Sequence, residues 1–473
     1  MRHNIIHWFL NTLVAAGMTL CAVSCGDDGS WSNLDPGTGQ HPDAEKPTEV
    51  TLRLKVSVLG DSPQTRAYPG VPDGSFEDPA TEYEKLHTLR VIIVDSLGKV
   101  EHNRMVNLDK DGNVINDNLE FRISVPWIKE ENGKEHFGVA NKKIWLFGNE
   151  KAANPAVCDA MVSVKLTETG AALTQDQMDA YKNNGNMALD LLSVGTSFCS
   201  TEITEDKVWA ENALKSVMLT RLDGQPFIDN SGAEKQYIPM NEFFTLNIQP
   251  NELQQSTGGT IFRVTKDLFV TRSLVKFTFS AQFAETNLNN ERMRISKITV
   301  TDIAKNGYYI PNATYYDPGK YTKSNNENGG RWITQFAVPQ NVVKSSYTFI
   351  PPAGENDSFL VLKEEPAKGK RNVYTAYKYF PETKLSGDNR YYVSLKAEVY
   401  NDETNSWDEL SYGPVPLRGL ASNPVDLLDI PRNTHVYVNF LFNDFGVNAV
   451  VALVPYTGVW LNPEFGVDRP EDN

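Results

Sequence analysis

Covalent modification is the chemistry that the N-terminal residues of this sequence favour, and Cys25 is the first residue that could undergo it. The small residues Ala22, Val23 and Ser24 precede Cys25, and Gly26 follows it. This order is similar to a bacterial lipobox, at which a precursor is cut before a cysteine that then carries lipid on its sulfur and its new amine. The alternative is an ordinary secretory signal with a chance cysteine.

A second reactive position is Arg66, within the segment Thr65-Arg66-Ala67. The surrounding stretch 60–74 contains three prolines and three glycines, which is typical of an exposed loop. Proteases cut such loops readily, and one cut at Arg66 would separate everything before it from the rest of the chain. An ordinary surface arginine is the alternative interpretation.

Other residues do not form a catalytic or metal-binding motif. The seven histidines lack HExxH spacing, the sequence has no Gly-x-Ser-x-Gly, and no Gly-rich phosphate loop is present. We therefore expect no enzyme activity, no cofactor and no metal. Because Cys21 leaves with the signal and Cys25 takes lipid, Cys158 and Cys199 are left for the folded body. They form either one disulfide, closing a loop of about 40 residues and worth roughly 3–4 kcal/mol, or two buried thiols.

The elements that hold these positions begin with an export signal. Residues 8–20 are apolar, follow Arg2, and are too short to span a bilayer comfortably. We expect a signal peptide at 1–24 and a flexible, lipid-anchored tether at 25–48, where the sequence is polar and rich in turn residues. The formal net charge of −15 disfavours nucleic acid as a partner.

The segment 50–58 has the clearest strand pattern in the chain, because apolar and polar residues alternate with a strict period of two. The apolar positions are Val50, Leu52, Leu54, Val56 and Val58. This strand directly precedes the loop that contains Arg66. Cleavage at Arg66 would therefore detach a complete strand.

Further apolar and β-branched runs, separated by turn-rich stretches, predict an all-β protein of antiparallel sandwiches. The predicted strands are Leu89–Val94, Glu120–Val125, Lys143–Phe147, Met161–Lys165, Phe243–Ile248, Leu274–Ser280, Ile295–Thr301, Tyr347–Ile350, Tyr391–Tyr400 and Thr434–Leu441. One helix is predicted at about 174–183, where Thr174 and Gln177 have capping-box spacing. The polar stretch 251–259 predicts a boundary between β domains at 49–256 and 257–473, within about twenty residues.

The C-terminal segment 447–460 is apolar and β-prone, with alternation at Val450, Ala452, Val454, Tyr456 and Trp460. Pro455 favours an edge or inserted strand, because proline cannot donate a ladder hydrogen bond. The alternative is a last strand that belongs to the core of its own domain.

Several of these features together resemble the fimbrillins, the type V pilins of anaerobic Gram-negative bacteria. The lipobox, Thr65-Arg66-Ala67, Tyr237-Ile238-Pro239-Met240, Thr271-Arg272-Ser273-Leu274-Val275-Lys276-Phe277, Pro431-Arg432-Asn433-Thr434-His435-Val436-Tyr437-Val438 and the apolar C-terminal strand carry this resemblance. It covers nearly the whole chain, and Arg432-Asn433-Thr434-His435 before a strand is its most specific part.

The resemblance implies two transthyretin-like β-sandwich domains in tandem and a precursor anchored in the outer membrane through lipid on Cys25. It implies that an Arg-specific protease cuts between Arg66 and Ala67, removing the first strand. A donor strand at about 447–460 of another copy, or of another pilus subunit, would then fill the emptied groove. The implied product is a shaft or stalk subunit of an adhesive fimbrium, with a host or bacterial adhesion target. The alternative function is a monomeric surface lipoprotein that binds glycan or host protein.

Overall fold

The computed structural model describes residues 48–58, 82–108, 119–199, 209–220, 236–255, 262–283, 293–310, 344–349, 360–384, 392–416 and 429–455, with interruptions at 363, 366–369, 372–373, 431 and 444–445. Strands dominate these residues, so the predicted all-β class is confirmed. The finer arrangement of two transthyretin-like sandwiches stays a prediction.

The strands in the first half of the chain are β1 Thr48–Val58, β2 Thr88–Val94, β3 Val100–Asn107, β4 Glu120–Val125, β5 Trp127–Lys129, β6 Glu135–Phe137, β7 Ala140–Gly148, β8 Met218–Thr220, β9 Met240–Ile248, β10 Gln254–Gln255 and β11 Phe262–Arg272. Those that follow are β12 Leu274–Phe283, β13 Met293–Ala304, β14 Asn306–Tyr308, β15 Lys344–Phe349, β16 Leu360–Leu362, β17 Glu364–Glu365, β18 Lys370–Arg371, β19 Tyr374–Pro381, β20 Thr383–Lys384, β21 Tyr392–Asn401, β22 Ser406–Pro416, β23 Asp429–Ile430, β24 Thr434–Asn443 and β25 Gly446–Pro455.

The α-helices are α1 Asn154–Met161, α2 Gln175–Asn183 and α3 Ala210–Ser216, and short 3₁₀ turns lie at Glu82–Glu84, Glu150–Ala152, Ala188–Leu191 and Pro250–Glu252. Thr174 caps α2, and the reciprocal bonds between Thr174 and Gln177 confirm the predicted capping box. The predicted strand Met161–Lys165 is wrong, because Met161 is the last residue of α1. Pro155 suits the first turn of that helix, and Cys158 and Met161 face the core together at i, i+3 spacing.

The N-terminal sheet has the strand order β3-β2-β7-β9-β11-β1-β4, with β10 paired to β11. Strands β9 and β11 share only the pairs Thr271–Asn241 and Arg272–Met240, so the sheet is joined narrowly at this point. Apolar side chains from both parts of the sheet, among them Leu52 of β1 and Val91 of β2, belong to one buried core. The other face of β2 and β7 packs on the helices, which explains why β2 is buried on both faces.

The C-terminal sheets have the orders β19-β12-β24-β25 and β15-β13-β21-β22, with β16 paired to β13. Tyr347 of β15 and Phe380 of β19 meet edge to face at 5.3 Å between ring centroids, which places these two sheets against each other. The chain passes from the N-terminal sheet to the C-terminal one at Ser273, between β11 and β12. This change of sheet lies C-terminal to the boundary predicted at 256.

Candidate functional site

Strand β1 lies inside the N-terminal sheet, hydrogen-bonded on both sides. It runs parallel to β11, with Cα partners from Thr51–Arg263 to Val58–Val270. It runs antiparallel to β4, with partners from Thr48–Val125 to Arg53–Glu120. Removing β1 would therefore expose two unpaired edges that face each other across the width of one strand. We call this space, between β11 and β4, the acceptor groove.

The inward face of β1 is apolar and buried. Val50, Leu52, Leu54, Val56 and Val58 are each 0–3% exposed. They pack in the core that contains Phe121 and Ile123 of β4 and Val264 and Leu268 of β11. The burial predicted from the alternation is thus what the structure has.

The outward face of β1 carries charges, each with a partner of opposite sign on a neighbouring strand. Arg53 Nε donates to Glu120 Oε1 at 2.8 Å, and these side chains are only 32% and 27% exposed. Lys55 Nζ lies 3.9 Å from Asp267 Oδ1, and Glu49 Oε2 lies 3.9 Å from Arg122 Nη1. The sequence did not predict these partners on β4 and β11, although the charged positions of β1 itself were visible in its alternation.

The predicted modification sites Cys25, Arg66 and Ala67 lie outside the described residues. The chain is anchored at Tyr83 and Glu84. Tyr83 O accepts a hydrogen bond from Ile238 N at 2.8 Å, and Glu84 is fully buried. Segment 59–81 therefore joins β1 to a fixed point on the N-terminal half, and a cut at Arg66 would leave that fixed point in place.

The C-terminal segment is placed as a strand of its own sheet. β25 pairs antiparallel with β24 over ten positions, from Thr434–Pro455 to Asn443–Gly446. It is the last strand in the order β19-β12-β24-β25 and so lies at the edge of this sheet, as Pro455 predicted. Val450, Ala452 and Val454 lie within β25, whereas Tyr456 and Trp460 lie outside the described residues. The structure thus places the candidate donor apart from β1, in the other half of the chain.

The most specific motif of the resemblance, Arg432 to His435, lies at the junction between the two halves. Arg432 donates through Nη2 to Glu382 Oε1 at 2.6 Å and through Nη1 to Tyr309 O at 3.0 Å. Asn433 adopts a positive φ of 55° and donates its N–H to Leu274 O at 3.1 Å. These contacts explain the arginine and the asparagine structurally, because each joins segments that are distant in sequence.

A buried polar cluster at the same junction was not predicted. Glu84 accepts a hydrogen bond from Tyr379 Oη at 2.5 Å and forms an ion pair with Lys276 Nζ at 3.0 Å. His435 Nε2 and Thr278 Oγ1 form a hydrogen bond at 2.6 Å. Burial, reinforced by the charges of Lys276 and Arg272, lowers the pKa of His435 well below its usual value, so the ring is neutral in the folded protein.

Cys158 and Cys199 are both buried and no disulfide joins them, so the structure has the second of the two sequence alternatives. Burial raises the pKa of Cys158, which keeps it protonated and unreactive. Among the described residues, no three histidine, cysteine or carboxylate side chains gather as metal ligands, and no helix there is long and apolar enough to cross a membrane.

Neither a family model nor a curated protein matches the chain. Solved structures do. A cell adhesion protein from Parabacteroides distasonis, described as putative, is 13% identical, with a TM-score of 0.39 over 86% of this chain and 97% of that one. The tip fimbrial protein Mfa3 from Porphyromonas gingivalis is 11% identical, with a TM-score of 0.38 over 86% and 100%. A fimbrilin, FimA, from the same organism is 12% identical, with a TM-score of 0.37 over 87% and 98%. The chain is thus similar to fimbrial and adhesion proteins.

Proposed function

We propose that this protein is a structural subunit, shaft or stalk, of a type V adhesive pilus. It is exported as an outer-membrane lipoprotein through Cys25, matured by cleavage between Arg66 and Ala67, and polymerised by donor-strand exchange. The observation that supports this most is the position of β1. It is an interior strand, the first one that the structure describes, and it fills a groove bounded on both sides by other strands.

The energetics of β1 require a trigger for its release. Its five buried apolar side chains contribute roughly 1.5–3 kcal/mol each, or about 7–15 kcal/mol together before entropy. While segment 59–81 is intact, β1 also competes at an effective concentration of millimolar order or more. A cut at Arg66 removes that advantage, so an incoming strand can replace β1 and the exchange becomes directional.

The emptied groove has what strand addition requires. β11 and β4 would offer main-chain donors and acceptors on both sides, spaced for one strand because neighbouring strands lie about 4.7–4.9 Å apart. The core around Phe121, Ile123 and Leu268 would offer alternating apolar pockets. On this account the partners are other copies of the protein or other pilus subunits.

The candidate donor is the segment 447–460. Its described part lies within β25, an edge strand whose one hydrogen-bonded neighbour among the described strands is β24. It therefore leaves its sheet by breaking one ladder, whereas β1 must break two. An edge strand with no charged residue also has little protection against pairing with another chain.

The pairing of β25 within its own sheet favours a second function, that of a monomeric surface lipoprotein that binds glycan or host protein. β25 already pairs over ten positions in its own sheet. On that account β25 is part of the C-terminal core, β1 is retained permanently, and no subunit contact is made through either strand.

The two functions are separated by the N-terminal residue and the sedimentation of mature surface protein. Both are measured for wild type, Arg66→Ala and Arg66→Lys. We expect wild type to begin at Ala67 and to sediment as a polymer. Both variants should stay uncut and monomeric, and Arg66→Lys shows that arginine itself, not its charge, is required. Asp61→Ala, in the same loop, is the matched control and should behave as wild type. Fibres of normal length from Arg66→Lys would exclude an Arg-specific cut at this site.

A further inference from the structure

The outward-facing side chains of β4 and β11 that flank β1 form the rim of the acceptor groove. This rim carries an ordered pattern of charge, and we propose that this pattern selects the donor strand. The partner that fits is a strand of a different subunit, running in the direction of β1, with an acidic residue followed four and six positions later by basic residues. This inference rests on the proposed function, since it names the partner of the same groove.

One end of the rim is basic. Arg122 of β4 lies beside the start of β1, with its Nη1 3.9 Å from Glu49 Oε2, and it is 81% exposed, so solvent screens its attraction for an anion as it does at Asp267. Arg263 of β11 is the Cα partner of Thr51 and is exposed. An inserted strand therefore meets two guanidinium-bearing residues opposite the position that Thr51 now occupies, two residues from that of Glu49.

The other end of the rim is acidic. Glu120 of β4 is opposite Arg53, and Asp267 of β11 is opposite Lys55. Glu120 matters more, because only 27% of its side chain is exposed and it accepts a hydrogen bond from Arg53 Nε at 2.8 Å. Asp267 is 82% exposed, so its attraction for a cation is largely screened by solvent. A donor without a basic residue opposite Glu120 would leave a half-buried carboxylate without the cation it has now.

This pattern favours one register, and through Arg122 one direction, which the apolar pockets alone do not. Apolar alternation with a period of two accepts a strand shifted by two residues, or one inserted in reverse. The rim discriminates against a shift of two residues towards the start of β1, which would bring Arg53 opposite Arg122 and Arg263. A strand reversed about Leu54 would keep basic residues opposite Glu120 and Asp267 but would lose the acidic partner of Arg122. β1 itself satisfies the order with Glu49, Arg53 and Lys55.

The chain's own candidate donor does not satisfy it. Strand β25, GVNAVVALVP, has no charged residue, and neither does the whole segment 447–460. Such a strand supplies apolar side chains but no partner for Glu120. Charge complementarity therefore favours a heterotypic neighbour, and a second copy of this chain becomes the weaker ligand.

Labelled peptides offered to protein nicked in segment 59–81 test this proposal. The peptides are TEVTLRLKVSV, which is residues 48–58, a neutral form with Glu49→Gln, Arg53→Gln and Lys55→Gln, and a reversed form with Glu49→Lys, Arg53→Glu and Lys55→Glu. All three keep the same five apolar residues. Incorporation is measured by fluorescence anisotropy and by intact mass, at about 0.1 M and about 1 M salt.

We expect the neutral peptide to bind about five- to tenfold more weakly than the 48–58 peptide at the lower salt concentration, and the reversed peptide more weakly still. The difference should shrink at about 1 M salt, where the Debye length is about 3 Å. Glu120→Gln should abolish most of the preference while Ser124→Ala, on the same face of β4, keeps it. The peptide of residues 446–455 should bind more weakly than the 48–58 peptide.

Equal binding of the three charge forms would overturn charge selection and leave strand exchange standing. If no peptide, including the 48–58 sequence, entered the nicked protein, strand exchange itself would be refuted, and the present inference with it. Tighter binding of the 446–455 peptide than of the 48–58 peptide would also overturn the heterotypic preference.

Discussion

Leu54→Ala should loosen β1 far more than a substitution on its outward face. Leu54 is fully buried among residues of β1, β4 and β11. Leu→Ala substitutions in such cores cost about 2–5 kcal/mol, through lost transfer free energy and through the cavity that remains. The adjacent Lys55 is the matched control, because its side chain is 57% exposed and its partner Asp267 is 82% exposed. Lys55→Ala should cost about 0.5 kcal/mol or less.

These costs should have different consequences before and after the loop is cut. In the uncut chain, Leu54→Ala should lower the free energy of unfolding, measured by urea denaturation, but leave β1 in place because it remains tethered. In nicked protein the same cost acts on a separable strand. A loss of 2–5 kcal/mol weakens retention of β1 by about 30-fold or more. Release of a fluorophore attached near residue 48, followed over time after dilution, measures this retention.

Two results would refute this reasoning. If Leu54→Ala and Lys55→Ala released β1 at the same rate, the inward pockets would not determine its retention. If β1 stayed bound in nicked Leu54→Ala protein as long as in wild type, the strand would be held by something other than the core described above.

Three further predictions follow from the remaining elements. Cys25→Ala should abolish incorporation of labelled palmitate into the precursor, and equal labelling of wild type and variant would exclude the lipobox. The pKa of His435 is depressed in the folded protein, so only the unfolded state binds a proton on this ring as the pH falls below about 6.5, and the free energy of unfolding should decline there. His435→Gln should lessen this decline, measured as urea midpoints between about pH 7 and 5. An unchanged decline would contradict a neutral buried ring. Deleting 446–473 should lower the melting temperature because β24 loses its pairing with β25. If 447–460 is the donor, this deletion variant, once cut at Arg66, should also shorten wild-type fibres when it is mixed with wild-type protein. An unaffected fibre length would assign the segment to the core alone.

The strongest sequence signals were local ones. The strict alternation of 50–58 predicted both a strand and its buried face, because successive side chains of a strand point to opposite faces and only one of these faces is apolar. The capping box at Thr174 likewise lies within four residues of sequence. Each signal depends on neighbours that the sequence places side by side.

The missed elements depend on distant partners. Strand β11 was not predicted, because Lys266 and Asp267 interrupt its apolar pattern and Arg272 is a buried charge. Arg272 is tolerated there through hydrogen bonds to Glu84 O at 3.4 Å and Asn433 Oδ1 at 3.3 Å, residues far away in sequence. Lys276 is similar, since its buried position depends on Glu84. A buried charge looks like a surface charge until its partner is known.

The central claim, that β1 is removed before assembly, is tested most directly by mass spectrometry of fibres sheared from cells. We predict a subunit chain that begins at Ala67, with no peptide from 48–58 present at the stoichiometry of the subunit. Assembled fibres in which every subunit retains an intact 48–58 segment would contradict the account.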